Sequence, residues 1–168
     1  TREKLAAFCH VSPNAVMSAH DVSNIYRVPL LLRDQGICEA LEIDCNATDL
    51  MTRWELMADR VDNLGEDIHI AMVGKYTGLT DSYLSVIKSL QHASFAVNRK
   101  LVIDWIEASN LDDSSHSDWS VLKSADGILV PGGFGDRGIE GKILAANYAR
   151  VNNVPYLGIC LGLQVETI

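Results

Sequence analysis

The strongest candidate for a reactive residue in this sequence is a cysteine between two glycines, in the run Gly158-Ile159-Cys160-Leu161-Gly162. It follows the apolar stretch Pro155 to Ile159, which has the length of a buried strand. Gly-x-Cys-x-Gly after a strand is the cysteine counterpart of the nucleophile elbow, whose glycines let neighbouring backbone pass. The next helix N-terminus favours a thiolate. We interpret Cys160 as a nucleophile; the alternative is a buried cysteine at a strand end.

A second glycine-rich run, Pro131-Gly132-Gly133-Phe134-Gly135, ends the preceding predicted strand. Its N–H groups, with Gly133 as the best candidate, and that of Leu161 are suited to stabilise an oxyanion beside Cys160. A phosphate-binding loop is the rival interpretation, but Gly-x-x-x-x-Gly-Lys-Ser/Thr is absent. An ordinary loop with tight turns is the other alternative.

A catalytic thiol also needs a base and a group that orients it. The sequence contains five histidines, and all of them precede Cys160: His10, His20, His69, His92 and His116. None is placed beside the predicted elbow by the pattern of strands and helices. We therefore expect the base to come from sequence that this chain does not contain.

The elements that position these loops follow an alternating pattern from Ile68 onward. The patterns predict strands at Ile68–Val73, Leu101–Ile106, Asp126–Val130 and Pro155–Ile159, with helices after Thr80-Asp81, around Trp119–Lys123 and at Gly138–Val151. This order indicates an α/β fold with a parallel, doubly wound, flavodoxin-like sheet. Ligands bind at the carboxyl ends of such strands, so Gly74–Leu79, Pro131–Gly141 and the Cys160 turn are expected to converge.

In the first part of the chain, the apolar residues mostly recur at the spacing of an α-helix. We predict a short strand at Val16–His20, a helix around Leu30–Leu32 that Gly36 ends, and a helix at Leu50–Val61. The resulting division is residues 1–61, a polar linker at 62–67, and residues 68–168.

Composition and charge argue against several functional classes of protein. A net charge of −8 argues against a nucleic-acid partner. No apolar segment long enough to span a membrane and no signal pattern is visible, which predicts a cytoplasmic protein. The remaining cysteines, Cys9, Cys38 and Cys45, are interpreted as core or surface residues without a disulfide framework. No metal site is predicted; the acidic group Asp112, Asp113 and Asp118 is interpreted as a surface loop.

Taken together, these residues resemble the CTP synthase family, in which a glutamine amidotransferase is fused to an ATP-dependent synthase (amidoligase) domain. The resemblance covers essentially the whole chain. Its most specific parts are Arg2-Glu3-Lys4-Leu5, His20 to Pro29, Val73-Gly74-Lys75-Tyr76, Asp81 to Val86, and the Phe-Gly…Arg-Gly…Glu-Gly pattern of residues 134–141. Residues 1–61 then correspond to the C-terminal part of the α/β synthase domain, and residues 68–168 to the first part of the amidotransferase domain.

The resemblance implies a role for each matching residue. Cys160 is the glutamine nucleophile, and the glutamine-binding residues are Gly133, Leu161, Gly162, Leu163 and Gln164. Lys4 corresponds to the UTP or CTP triphosphate site, and His20, Asp21 and Val22 to an adenine-binding segment. Phe134 and Arg137 correspond to the site of the activator GTP. Without the resemblance, Lys4 is interpreted as a surface lysine and the segment His20 to Val22 as a strand end with a helix cap. Phe134 is then interpreted as a loop anchor and Arg137 as a surface cation.

The family's activity is the ATP-dependent amination of UTP to CTP with ammonia from glutamine, and CTP acts as a feedback inhibitor. The ATP-binding loop, the Mg²⁺ carboxylates and the catalytic His and Glu have no counterpart here, so we expect an incomplete, inactive fragment. The resemblance also implies a homotetramer, and filaments, for the full-length protein. Two alternatives stay open: another class I amidotransferase such as GMP synthase, and a non-catalytic flavodoxin-like interaction module.

Overall fold

The computed structural model describes residues 1–44, 49–75 and 80–168. The chain forms two compact units, Thr1–Leu64 and Gly65–Ile168. The boundary between them falls inside the stretch 62–67, which the sequence predicts to be a linker. Among the described residues, no helix has both the length and the apolar character that crossing a bilayer requires.

The first unit is helical. Its helices are α1 (Arg2–Cys9), α2 (Val28–Asp34), α3 (Ile37–Ala40) and α4 (Leu50–Asp62), with 3₁₀ turns at Pro13–Ala15 and Ile25–Arg27. The predicted helices around Leu30 and at Leu50–Val61 are present. Pro29 lies in the first turn of α2, where its missing N–H costs no hydrogen bond. Gly36, at φ 87°, lies just beyond α2 in the left-handed region that glycine adopts without strain.

A polar cluster joins α4 to the segment before α2. The Arg27 guanidinium donates to Asp62 and Asp59, both at 2.6 Å. Hydrogen bonds from Asn24, Ser23 and Arg27 lower the pKa of Asp62. Trp54 Nε1 donates to the Tyr26 carbonyl at 2.6 Å.

Two expectations for this unit are wrong. Val16–His20 is not a strand. Its backbone bonds to a side chain rather than a neighbouring strand, because the Gln35 carboxamide accepts from Ser18 N and donates to Ser18 O, both at 2.8 Å. Cys38 is buried in α3 and takes part in a disulfide, which the sequence did not predict. Cys45 lies outside the described residues.

The second unit alternates strands and helices, as the periodicity predicts. Its strands are β1 (Asp67–Gly74), β2 (Lys100–Glu107), β3 (Gly127–Val130) and β4 (Tyr156–Gly158). Its helices are α5 (Leu84–Ala96), α6 (Asp118–Ser124), α7 (Ile139–Asn152) and α8 (Leu161–Glu166), with 3₁₀ turns at Thr80–Tyr83 and Ala108–Asp112.

All described strand pairs are parallel, and the sheet order is β2-β1-β3-β4. The chain moves outward from β1 to β2 and then crosses back to β3 on the other side of β1. Such a reversal opens a crevice at the carboxyl ends of β1 and β3, where doubly wound proteins bind ligands. The predicted parallel, doubly wound α/β fold is confirmed.

Both faces of the sheet are covered. Alternate residues of β1 point to opposite sides, so Ala71 and Val73 join one buried cluster and Met72 joins the other. The first cluster includes Leu122 of α6 and Ala145 of α7, and the second contacts Val86, Ile87 and Leu90 of α5. Burial on both faces explains why the strands are continuously apolar.

Candidate active site

Cys160 occupies a strained turn between β4 and α8. Its backbone has φ 55° and ψ −109°, a region that non-glycine residues rarely adopt, and its side chain is exposed. Strain of this kind persists only where the surroundings enforce it, and it clusters at functional sites. The predicted elbow conformation is present.

The flanking glycines are required by close packing. A Cβ at Gly162 would lie 1.9 Å from the Val130 carbonyl oxygen, and one at Gly158 would lie 2.4 Å from the Gly162 oxygen. Neither site has room for a side chain. The motif therefore has two glycines because strand β3, the elbow and the first turn of α8 contact one another through backbone.

Hydrogen bonds hold the elbow in place. Ile159 N donates to Val130 O at 3.0 Å, and Gln164 N donates to Cys160 O at 3.1 Å. The Tyr156 hydroxyl donates to the Gly162 carbonyl at 2.8 Å, and burial together with Glu166 raises the pKa of Tyr156 to about 12. Tyr156 is absent from the residues predicted from the sequence; the available signal was an aromatic hydroxyl on the strand before Cys160.

The glycine loop lies directly beside Cys160. A Cβ at Gly132 would lie 3.2 Å from Cys160 Cβ and 3.6 Å from its Sγ. Within the described residues, neither Gly133 N nor Leu161 N donates to another backbone group, so both candidate oxyanion donors remain available. Phe134, at the tip of the loop, is 92 % exposed.

Two buried lysines lie beneath this loop, and neither is among the site residues predicted from the sequence. The Lys142 side chain is 0 % exposed, and its Nζ donates to the Pro131 carbonyl at 3.2 Å. Lys75 is 3 % exposed, and its Nζ donates to the carbonyls of Phe134, at 3.1 Å, and Gly135. Lys142 lies at helical spacing from the buried Ala145 and Ala149, a signal that could have identified it as a core lysine.

Burial lowers the pKa of Lys142 from its ordinary value of 10.5 to about 8. Repulsion from Lys75 adds to this effect, whereas attraction to Cys160 and Glu107 opposes it. Burial therefore disfavours the charged form of Lys142, and residues with strongly shifted pKa values concentrate at functional sites.

Arg137 links the far end of the glycine loop to the ends of β1 and β2. Its guanidinium donates to the Lys75 carbonyl and lies 3.7 Å from Glu107 Oε1. Lys75 N in turn donates to the Tyr83 hydroxyl at 3.2 Å. The predicted convergence therefore holds for the Pro131–Gly141 loop, Lys75 and Cys160. The rest of the predicted Gly74–Leu79 loop, residues 76–79, lies outside the described residues.

None of the five histidines forms a hydrogen bond with Cys160. His69 Nδ1 lies 2.9 Å from Asp104 Oδ2, and His116 Nδ1 accepts from Asp118 N at 3.2 Å. His92 contacts the Phe95 ring on α5. His10 and His20 belong to the other unit.

The remaining predicted residues are distributed over both units. Leu161, Gly162, Leu163 and Gln164 form the first turn of α8, with Gly162 buried and Leu163 and Gln164 exposed. In the first unit, Lys4 is exposed on α1, His20 and Asp21 are exposed, and Val22 is half-buried. Within residues 1–44, 49–75 and 80–168 there is no group of three or more His, Cys, Asp or Glu that could hold a metal ion.

The fold and the site define an α/β protein with an exposed cysteine at a strained strand-to-helix turn, beside a glycine loop at the carboxyl edge of a parallel sheet. Sequence comparison narrows this class. Residues 78–168 match the family model described as "Glutamine amidotransferase class-I", and residues 1–46 match "CTP synthase N-terminus". The first match covers more than half of this chain. The chain therefore belongs to the class-I glutamine amidotransferase family.

Curated CTP synthases are similar in sequence to this chain over its whole length. A CTP synthase of Dictyostelium discoideum is 52% identical, covering 100% of this chain and 34% of that protein. A CTP synthase of Geobacillus kaustophilus is 48% identical, covering 99% and 32% respectively. The chain thus spans about a third of the length of the curated relatives it matches. The predicted resemblance to CTP synthases is confirmed.

A solved structure also matches: "Trypanosoma brucei CTPS - glutaminase domain with bound acivicin". It is 42% identical with a TM-score of 0.53, over 58% of this chain and 38% of that one. The similarity extends to the fold of a glutaminase domain.

Proposed function

We propose that Cys160 is the nucleophile of a glutaminase half-reaction. Its Sγ attacks the carboxamide carbon of glutamine, the C–N bond breaks, and ammonia leaves with a proton. Water then hydrolyses the glutamyl thioester to glutamate and the free thiol. The observation that carries this proposal is the strained Cys160 backbone, φ 55° and ψ −109°, at the start of α8.

The surrounding backbone supports the same reaction. The tetrahedral intermediate places negative charge beside Cys160, where the N–H groups of Gly133 and Leu161 are available as donors. The glutamine itself is proposed to contact Gly133 and the first turn of α8, from Leu161 to Gln164.

The proton transfers need a base and an acid, and no described histidine hydrogen-bonds to Cys160. We therefore propose that these 168 residues alone hydrolyse glutamine negligibly and that a His–Glu pair elsewhere in a longer protein supplies the base. Coupled to the synthase domain, the ammonia would aminate UTP to CTP at the expense of ATP. CTP would act as feedback inhibitor.

Nucleotide sites in this chain are part of the proposal. Lys4 would contact the UTP or CTP triphosphate, and His20, Asp21 and Val22 the adenine of ATP. No described acidic cluster fits Mg²⁺, so no step is assigned to a metal here. Phe134, 92 % exposed, and Arg137 offer a stacking surface and a cation for the activator GTP. A cytoplasmic homotetramer that forms filaments is proposed for the full-length protein.

The test is glutamine-protected labelling of Cys160 by acivicin, the compound bound in the trypanosomal relative. Cys9, a second free and exposed cysteine, is an internal reference in the same sample. Peptide mass spectrometry should show faster labelling at Cys160 than at Cys9, and glutamine should slow only the former. Equal and unprotected labelling of both would refute the proposal and favour a non-catalytic module.

A further inference from the structure

Among the described residues, no carboxylate lies within ion-pair distance of the two buried lysines beneath the glycine loop. In the part of the chain that the structure describes, neither Lys75 nor Lys142 forms an ion pair. Their ammonium groups are instead solvated by carbonyl oxygens of the loop itself. Lysine is almost never fully buried without a charged partner, so this arrangement calls for a reason other than packing.

Lys142 lies across the glycine loop from the nucleophile. A Cβ at Gly132 would lie 3.6 Å from Cys160 Sγ, whereas a Cβ at Gly133 would lie 3.8 Å from Lys142 Nζ. The thiol and the ammonium thus lie next to two consecutive glycines of the same loop. The attraction between the two groups is one of the interactions that raise the pKa of Lys142.

The hydrogen bond from Lys142 also determines where the loop's N–H groups point. In a trans peptide the C=O and N–H point in opposite directions. Holding the Pro131 oxygen toward Lys142 consequently directs the Gly132 N–H away from it. Lys75 does the same for the Phe134 carbonyl and so fixes the Phe134–Gly135 peptide, which places the two peptides that contain Gly133 between two anchored peptides.

We propose that Lys142 is a positioning residue for glutamine hydrolysis. Its ammonium fixes the Pro131–Gly133 backbone as an oxyanion site and supports negative charge that develops beside Cys160. This inference rests on the proposed glutaminase function and adds to it a buried cation that touches neither glutamine nor the reacting atoms.

A loop anchor with only a structural role would not need a charge that burial disfavours. The charged form is the costly one here, since its pKa is lowered to about 8. The charged groups that face Lys142 are Lys75 at the end of β1, Glu107 at the end of β2 and Cys160 at the elbow. Titration of Lys142 near pH 8 therefore gives a signature that a structural role would lack.

The experiment compares Lys142→Met with the wild-type 168-residue chain. Methionine keeps the unbranched shape and most of the length of the side chain and removes the charge and the donor. Lys88→Met, at an exposed position of α5, is the matched control. Two reagents are used at Cys160: acivicin, a glutamine analogue that needs the oxyanion site, and iodoacetamide, which needs only the thiolate.

The ratio of the two rates is the readout, because the thiolate fraction affects both reagents and cancels. We expect the acivicin-to-iodoacetamide ratio at Cys160 to fall at least tenfold in Lys142→Met at pH 7 and to stay unchanged in Lys88→Met. In the wild type, the ratio should also decline toward the value of the variant as the pH rises through about 8. The wild-type pH series tests the inference even if the variant folds poorly.

The two proposals fail in different ways. If glutamine-protected acivicin labelling of wild-type Cys160 is observed but the ratio is the same in Lys142→Met and flat with pH, the positioning role is wrong and the glutaminase proposal stands. If wild-type Cys160 shows no glutamine-protected labelling, the glutaminase proposal fails and this inference fails with it.

Discussion

Replacing Lys142 by methionine should make the second unit more stable at neutral pH, although it removes a hydrogen bond. Burial and Lys75 lower the pKa of this lysine from 10.5 to about 8. At about 1.4 kcal/mol per pH unit, keeping the ammonium charged costs the native state about 3 kcal/mol below pH 8. The lost bond to Pro131 O offsets part of the gain, since bonds from charged groups contribute roughly 1.5–3 kcal/mol. We expect a net stabilisation of about 1 kcal/mol at pH 7.

The pH dependence has a definite sign. The folded-state pKa lies below the unfolded one, so between pH 8 and 10.5 the unfolded chain binds more protons than the native one. Wild-type stability therefore gains in this window, and the variant lacks that gain. The difference between the two proteins should change by about 3 kcal/mol across the window, which reverses its sign.

Urea unfolding from pH 7 to 10.5 measures this difference. Tryptophan fluorescence from Trp105 and Trp119 reports on the second unit once Trp54 of the first unit is replaced by phenylalanine in every protein compared. Other titrations are common to both proteins and cancel, and Lys88→Met should run parallel to the wild type at every pH. A Lys142→Met protein that is less stable at pH 7, or a difference that does not change with pH, would refute the account of Lys142 as a costly buried charge. A stabilising substitution that slows acivicin labelling would mark Lys142 as a residue retained for activity rather than for stability.

Two further substitutions test the elbow. Gly162→Ala should destabilise the second unit by about 2 kcal/mol or more in urea unfolding, because its Cβ would lie 1.9 Å from Val130 O and α8 must move. Gly133→Ala, whose Cβ would have 3.5 Å to its nearest neighbour, is the control, and equal losses would contradict the argument. Tyr156→Phe should cost about 1 kcal/mol at pH 7 through the lost bond to Gly162 O. Because the native state raises the Tyr156 pKa to about 12, wild-type stability falls as pH rises above 10, so this deficit should shrink there; a constant deficit would exclude the assigned pKa shift.

The sequence by itself determined the architecture of the second unit and indicated Cys160 as the candidate nucleophile. Apolar runs of strand length alternate with helical periods, and only a parallel, two-faced sheet buries such runs on both sides. The glycines on either side of Cys160 indicate a tight strand-to-helix turn from the sequence alone, although the group that excludes a side chain at Gly162, the Val130 carbonyl of β3, is known only from the structure. The expected strand at Val16–His20 failed because the backbone groups of Ser18 bond to a side chain distant in sequence, Gln35.

Only the tertiary structure decided which residues surround Cys160. Lys75 follows β1 and Lys142 lies on α7, and nothing in their spacing indicates that both ammonium groups meet the carbonyls of one loop. Tyr156 acquires its partner in the same way, because its bond to Gly162 exists only when β4 and α8 fold back on each other. The physical reason is that burial and electrostatic attraction depend on distance in space, so a lysine that resembles a surface residue in sequence becomes a costly internal charge once helix α7 packs against the sheet.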